Sequence, residues 1–118
     1  MKILLVEDNA FTRKLLRKQL EEADYQVQAV IDGIAALNAI RAGRPDMVLL
    51  DIMMPRLDGY QVCKLLRLDD RFVDLPIIAL TSRAGQEDRE RGMEAGVDDF
   101  ILKNADFSLI LKIIKEHS

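Results

Sequence analysis

Cysteine occurs once in the 118 residues, and that single Cys63 excludes an internal disulfide and any multi-cysteine metal site. Its place among Val62, Leu65 and Leu66 predicts a helix-core thiol rather than a reactive one. Histidine is also single, and His117, near the C-terminus, is expected to face solvent. No apolar run is long enough to span a bilayer. The opening MKILLVEDN holds an apolar stretch far too short for a signal peptide, with an acid pair where none belongs, so the protein is expected to be cytoplasmic. Net charge is small at −3, which argues against a general nucleic-acid surface. There is no internal repeat, linker or low-complexity tract, and no DNA-binding, catalytic or other effector segment is expected in this stretch.

What is present is ordinary for a folded domain: 49% hydrophobic and 31% charged residues. A chain of this length is one domain, residues 1–118, able to bury roughly two-thirds of the surface its unfolded form exposes. The five methionines read as core and loop fillers.

The centre of the pattern is MVLLDIMMPRLDG, from Met47 to Gly59. Met47 to Leu50 is apolar without alternation, as in a strand covered on both faces, and Asp51 ends it. A carboxylate just past such a strand sits at the carboxyl edge of the sheet, where open α/β folds place ligand sites. Pro55 and Asp58-Gly59 mark a turn, with Asp58 a cap for a helix from about Tyr60 to Leu68.

The remaining segments repeat that alternation. Lys2 to Val6 is a second unalternated strand and runs into Glu7, Asp8 and Asn9. Leu16, Leu20 and Ala23 then follow helical spacing, Phe11 and Leu15 widening the stripe, with Arg13, Lys14, Arg17 and Lys18 outside it. Gln26 to Ile31 predicts a weaker edge strand, and Ile34, Leu37 and Ile40 a helix stopped by Gly43 and Pro45. Asp69 to Leu75 reads as a polar loop. Ile77 to Leu80 predicts a fourth strand, ending at Thr81-Ser82. The helix after it, about Gln86 to Ala95, has almost no apolar face, and Gly92 weakens it by about 1 kcal/mol relative to alanine, so it is expected to be the loosest. Gly96 closes it. Phe100 to Leu102 predicts a fifth strand with Lys103 at its end, and Phe107, Ile110, Leu111 and Ile114 give the last helix its buried stripe. Leu109 and Ile113 lie off that stripe and are expected to be partly exposed.

Five strands alternating with five helices imply an α/β fold with a doubly wound parallel sheet. Right-handed crossovers bring all strand C-termini to one edge, making neighbours of Asp8, Asp51, Thr81 and Lys103. Glu7, Asp8 and Asp51 form a hard oxygen cluster suited to Mg²⁺. Two unit charges about 4 Å apart cost on the order of 4 kcal/mol at an effective dielectric near 20, so a cation, metal or Lys103, must sit among them. With Thr81 and Lys103 facing the same point, the ensemble suits a carboxylate that accepts a phosphoryl group with Mg²⁺ neutralising the charge. Taken singly, Glu7, Asp8 and Asn9 could be helix caps, Asp51 a turn residue, Thr81-Ser82 an ST turn and Lys103 a solvated lysine; caps, however, need no common focus.

The pieces LLVEDN, VLLDIMMPRLDG, IIALTS and GVDDFILK, in this order and spacing, resemble the receiver domain of two-component response regulators along the whole chain, with the single-domain chemotaxis regulators a near likeness. The resemblance implies a flavodoxin-like sheet of order 2-1-3-4-5. It implies that Asp51 is the phospho-acceptor and that Glu7, Asp8, Asp51 and the Met53 carbonyl serve Mg²⁺, Glu7 directly or through water. It implies that Thr81 and Lys103 meet the phosphoryl group, that amides at Met53 and Ser82 complete the cradle, and that Phe100 is the aromatic switch. The implied donor is a phosphohistidine on a sensor histidine kinase or histidine phosphotransfer protein, docking on the first helix. Such a domain is a switch that assists its own phosphorylation and dephosphorylation rather than a turnover enzyme. The fourth helix, fifth strand and fifth helix, with Leu109 and Ile113, would be the face for a homodimer or downstream effector, with no direct contact to nucleic acid or membrane.

The pattern departs from the family at one place: Asn104 follows Lys103 where proline is usual, which predicts a trans bond and a remodelled loop from Lys103 to Phe107. Ser82, Arg83 and Met53 are expected to flank the pocket. Asn104 also keeps open a non-switching binding module of the same fold. An aspartyl phosphatase is a poor match, since Met53 stands where its second acid would be. A flavin carrier is equally poor, since Glu7-Asp8 occupy the loop that should cradle phosphate.

Overall fold

The computed structural model describes residues 1–82 and 85–118. Its elements run β1 (Lys2–Val6), α1 (Ala10–Glu22), β2 (Gln26–Val30), α2 (Gly33–Ala42), β3 (Met47–Asp51), α3 (Gly59–Arg67), a 3₁₀ turn (Asp70–Phe72), β4 (Ile77–Thr81), α4 (Gln86–Ala95), β5 (Asp99–Leu102) and α5 (Phe107–Glu116). The five strands form one parallel sheet in the order β2-β1-β3-β4-β5, with β2 at an edge as expected. Every residue of β3 and β4 is buried, which is why neither alternates polar with apolar.

The two faces of the sheet carry separate cores. Ile3, Leu5, Met47, Leu49, Ile78, Leu80 and Ile101 pack against Leu16 and Leu20 of α1 and Ile110 and Ile114 of α5. Leu4, Val6, Val48, Leu50, Ile77, Ala79 and Phe100 point the other way, against α2, α3 and the end of α4. Cys63 lies in this second core, and burial pushes its thiol up to about 11, so it is inert as expected.

Helix starts are set locally. Asn9, Asp32, Asp58 and Asp106 each accept a backbone N–H from the first turn of their helix, and Asp58 with Gln61 forms a full capping box. α4 is the exception: Gly85 offers no side-chain cap, and the two buried residues of the helix, Gly92 and Ala95, are both small. The near absence of an apolar face is as expected.

Several expectations need correction. Phe11 (77% exposed) and Leu15 lie outside the core of α1, whose buried stripe is only Leu16 and Leu20, and Ile34 of α2 is likewise exposed. The segment 69–75 is not simply polar: Phe72 and Leu75 are buried beneath the 3₁₀ turn. In α5, Leu111 is only half-buried; Leu109 is exposed and Ile113 half-buried against the core, as expected. His117 is also not free in solvent, because its Nε2 lies 2.8 Å from Asp99 Oδ2.

One side chain missed in the sequence ties two loops to the end of α3. Arg67, at the end of α3, donates to the carbonyls of Phe72 (2.8 Å), Val73 (3.2 Å), Leu75 (2.7 Å) and Gly96 (3.0 Å) and to Asp98 Oδ2 (3.0 Å). Asp98 Oδ2 also accepts the N–H of Ile77 at the start of β4. Removing the guanidinium strands several carbonyls at once. Arg67→Ala is therefore expected to cost about 3 kcal/mol in urea-unfolding free energy, and Arg67→Lys, which lacks the planar fork, to recover less than half of it.

Candidate functional site

Strand register assembles the charged cluster. Val6 pairs with Leu50, so Glu7 falls beside Asp51; Asp51 pairs with Leu80, and Thr81 with Leu102, so Lys103 follows one step on. Side chains alternate along each strand, and Glu7, Asp51 and Lys103 have the parity of Leu5, Leu49 and Ile101, on the face of α1 and α5. Thr81 has the opposite parity, that of Ala79, and shares its face with Phe100.

The resulting contacts are short. Lys103 Nζ lies 2.9 Å from Glu7 Oε1 and 3.1 Å from Asp51 Oδ1, and donates to Glu7 Oε2 at 3.2 Å. Both carboxylates are fully buried and Lys103 is partly so. Asp8 stays exposed, yet one oxygen from each of Glu7, Asp8 and Asp51 lies within 4.8 Å of the others. The N–H of Met53 donates to Asp51 Oδ1 at 3.1 Å, whereas Asp51 Oδ2 receives no hydrogen bond from the described residues. An oxygen-only donor set with a buried oxygen left over fits a small divalent cation.

Titration follows from this crowding. Burial, then the neighbouring Glu7 and Asp8 carboxyls, push Asp51 up to about 8 against the pull of Lys103. For Asp8 burial acts upward but is outweighed by hydrogen bonding with Asp51 and Glu7 and by the Lys103 charge, so its net shift is downward. Burial would lower Lys103, but Glu7 and Asp51 outweigh it and hold its ammonium above the usual lysine range.

The loops hold the geometry. Arg13 of α1 donates to the carbonyls of Glu7 (2.9 Å) and Asp8 (3.4 Å), fastening the acidic loop, while Asn9 alone caps the helix and leaves both acids for the site. Gly59 presses α3 onto the end of β3: a Cβ there would meet the Asp51 carbonyl at 2.5 Å. Arg13 and Gly59 were not singled out as site supports in the sequence; the first reads as a solvated helix residue and the second as half of a turn. Beside Asp8 a cleft of about 350 Å³ opens between Arg13 and the loop residues Pro55, Arg56 and Leu57.

The other expected residues lie along β4, β5 and the loops that follow β3, β4 and β5, apart from one outside the described residues. Met53 is an exposed side chain in the loop after β3, Ser82 follows β4 and is exposed, and Arg83 lies outside the described residues. Thr81 is buried at the end of β4, where its carbonyl accepts the Lys103 N–H at 2.9 Å. Phe100 is 8% exposed, turned inward under α4. The bond between Lys103 and Asn104 is trans, as expected, and the chain turns through an Ala105 N–H to Leu102 carbonyl bond of 3.0 Å. Lys103 reaches both buried acids without the usual proline.

Comparison with known proteins agrees with this geometry. The model of the response regulator receiver domain family matches residues 3–115. Response regulator MprA of Mycobacterium avium is 45% identical over 103 residues, 87% of this chain and 44% of its own, so the chain spans less than half of that relative. The receiver domain of a sensor histidine kinase of Pseudomonas aeruginosa, solved with a magnesium ion coordinated in its active site cleft, superposes with a TM-score of 0.90 at 36% identity, covering 98% of this chain and 94% of that one. The BeF3-activated N-terminal receiver domain of Klebsiella pneumoniae RstA gives 0.91 at 33% identity, covering 99% and 97%.

The raised Asp51 carries a pH signature. A carboxyl whose folded value lies near 8 contributes stability that is complete below the unfolded value of about 4 and is lost as pH rises through 8. In chelator, Asp51→Asn should therefore melt above wild type at pH 8, by at least several degrees, and the gap should close as pH is lowered towards 4. Calorimetry across that range measures it; a gap that widens on acidification contradicts the assignment.

Proposed function

The chain belongs to the response regulator receiver family, and from that premise we propose that Asp51 accepts a phosphoryl group from a phosphohistidine donor. Receiver domains of response regulators are phosphorylation-based switches that interact with histidine kinases and output domains. The observation that carries the assignment is the asymmetry of the Asp51 carboxylate: Oδ1 is held by Met53 N–H and Lys103, and Oδ2 has no donor among the described residues. Oδ2 attacks phosphorus, the P–N bond breaks, and its electron pair returns to the donor's imidazole, leaving an acyl phosphate on Asp51.

Each neighbour has a part in that step. Lys103 exchanges its contacts with Glu7 and Asp51 for the new phosphoryl oxygens, and the Met53 and Ser82 amides and the Thr81 hydroxyl complete the cradle. Glu7, Asp8 and Asp51, with the Met53 carbonyl, would hold Mg²⁺; such an ion supplies positive charge that offsets the charge on the transferring group. The magnesium in the Pseudomonas aeruginosa receiver domain supports that choice of metal.

The cleft that Asp8 and Arg13 line, beside the acidic cluster, supports an approach of the donor from that side. The exposed Phe11 and Leu15, rimmed by Arg13, Lys14, Arg17 and Lys18, give a sensor histidine kinase or phosphotransfer protein an apolar patch with a basic border. Thr81 and Phe100, on the sheet face towards α4, transmit the modification to the α4–β5–α5 face. There Met93 (65% exposed), Leu102 and Leu109 offer apolar surface to a second copy or an effector. Among the described residues no helix is long and apolar enough to cross a membrane. Lys103 contacts both buried acids despite Asn104, which supports a switch over a non-switching binding module of the same fold.

Intact-mass spectrometry after treatment with acetyl phosphate and Mg²⁺ tests the assignment. Wild type should gain the mass of one phosphoryl group and Asp51→Ala none; equal labelling of the variant overturns it. Mg²⁺ at a hundredfold excess over its Kd should also stabilise the unmodified protein by about 2.7 kcal/mol, read as a rise in Tm. Asp8→Asn, which removes one of the three carboxylates, should shrink that rise.

A further inference from the structure

Phe100 occupies its inward position because of what is missing above it. A Cβ built on Gly92 of α4 would lie 2.2 Å from the ring's Cζ, 2.9 Å from Cε1 and 3.3 Å from Cε2. No side chain at position 92 can coexist with the ring as it stands. One helical turn earlier, the Arg89 guanidinium sits 5.5 Å from the ring centroid, so α4 grips Phe100 at two points on one face. Gly92 lies inside the helix without a left-handed backbone angle, so conformation does not require glycine there. The residue weakens α4 by helix propensity, and packing on Phe100 is the gain set against that loss.

α4 also meets the body of the domain elsewhere. Ala95 is its other buried residue, Tyr60 Oη donates to the Asp88 carbonyl at 3.0 Å, and Arg91 stacks on the Tyr60 ring at 4.7 Å. The Phe100 ring is one part of the floor on which the helix rests. Phe100 also pairs in register with Ala79, two residues before Thr81 on the same face of the neighbouring strand.

We propose that Gly92 is the positioning residue for Phe100: the absent Cβ admits the ring beneath α4, so that ring and helix change position together. The packing claim stands alone; the further step, that phosphorylation at Asp51 moves α4 through this contact, rests on the function proposed above. A methyl group at position 92 would expel the ring and uncouple α4 without touching the acceptor site.

The test compares Gly92→Ala, Phe100→Ala and the double variant, each in the full chain. With Phe100 present, Gly92→Ala should lower Tm by about 4 °C or more through overpacking. With Phe100→Ala, the same change should raise Tm by a few degrees, because alanine is the better helix former. In ¹³C-phenylalanine spectra of Gly92→Ala, the Phe100 ring signals should shift and those of Phe72 stay in place. Tm changes of one sign in both backgrounds, or unmoved Phe100 signals, overturn the proposal. If Gly92→Ala alone does not fold, folding of the double variant supports it and failure of both overturns it. Beryllofluoride with Mg²⁺ should shift α4 amides in wild type and not in Gly92→Ala. If wild type itself does not respond, the acceptor assignment fails, and the sign reversal in Tm still decides the role of Gly92.

Discussion

Three carboxyl groups are held closer together than their charges favour, and the parallel sheet is what holds them. At separations near 4 Å each pair of ionised acids costs on the order of 4 kcal/mol at a protein-like dielectric, several times what one ordinary hydrogen bond returns. Only a rigid frame can sustain that. β3 is buried along its whole length between β1 and β4, and register delivers Glu7, Asp51 and Lys103 to one face of the sheet edge. The lysine offsets part of the repulsion, and a proton on Asp51, whose carboxyl titrates near 8, offsets more. The site is thus poised to take up positive charge from outside, which is the electrostatic requirement for gathering a metal ion and a phosphoryl group at one carboxylate.

Rigidity is not spread evenly. The end of the molecule built on β1, β3 and α3 is pinned by the Asp58–Gln61 capping box, the Arg13 clamp on the acidic loop and the close seat of Gly59 on Asp51. α4, by contrast, has no side-chain cap and little buried surface, while Arg67 fixes only its far end, through the Gly96 carbonyl. Elements with few buried apolar contacts are the ones whose position a small free-energy change can alter. Chemistry at a stiff centre and response in a loosely seated helix are therefore divided between two parts of one sheet, linked by the face that Thr81 and Phe100 share.

Much of this was legible because it depends on periodicity and order. Unalternated runs such as Met47–Leu50 and Ile77–Leu80 suit inner parallel strands, and parallel strands with right-handed crossovers bring their carboxyl ends to one edge. What escaped the sequence depends on which neighbour a residue meets. Phe11 and Leu15 read as core by type, but α1 needs only Leu16 and Leu20 to cover its part of the sheet. Leu111 reads as core by type, but Ile110 and Ile114 are the fully buried residues of α5 and Leu111 stays half-exposed. Gly92 looked like a flaw in a polar helix, since the ring that needs the space comes from the next strand. Arg67 gives no signal in the sequence, since most of its partners are backbone carbonyls, which no side-chain pattern reveals.

The reach of Lys103 shows how tertiary demand can replace a local device. Asn104 gives the loop none of the constraint that proline would, and from local sequence alone the ammonium could be aimed anywhere. Glu7, however, is wholly buried, and an ionised carboxylate out of contact with water is costly unless a cation meets it. Leaving such a partner unpaired costs about 3–5 kcal/mol, far more than the rotamer freedom one lysine loses. Lys103 stands on β5 with the correct parity and within reach, so the buried acid itself selects the lysine conformer that points into the site. The same contact leaves Nζ 3.1 Å from Asp51, beside the carboxylate that a new phosphoryl group would modify. The acid that aims the lysine and the acid that uses it are neighbours by register, which is why the loop between β5 and α5 can vary without disarming the site.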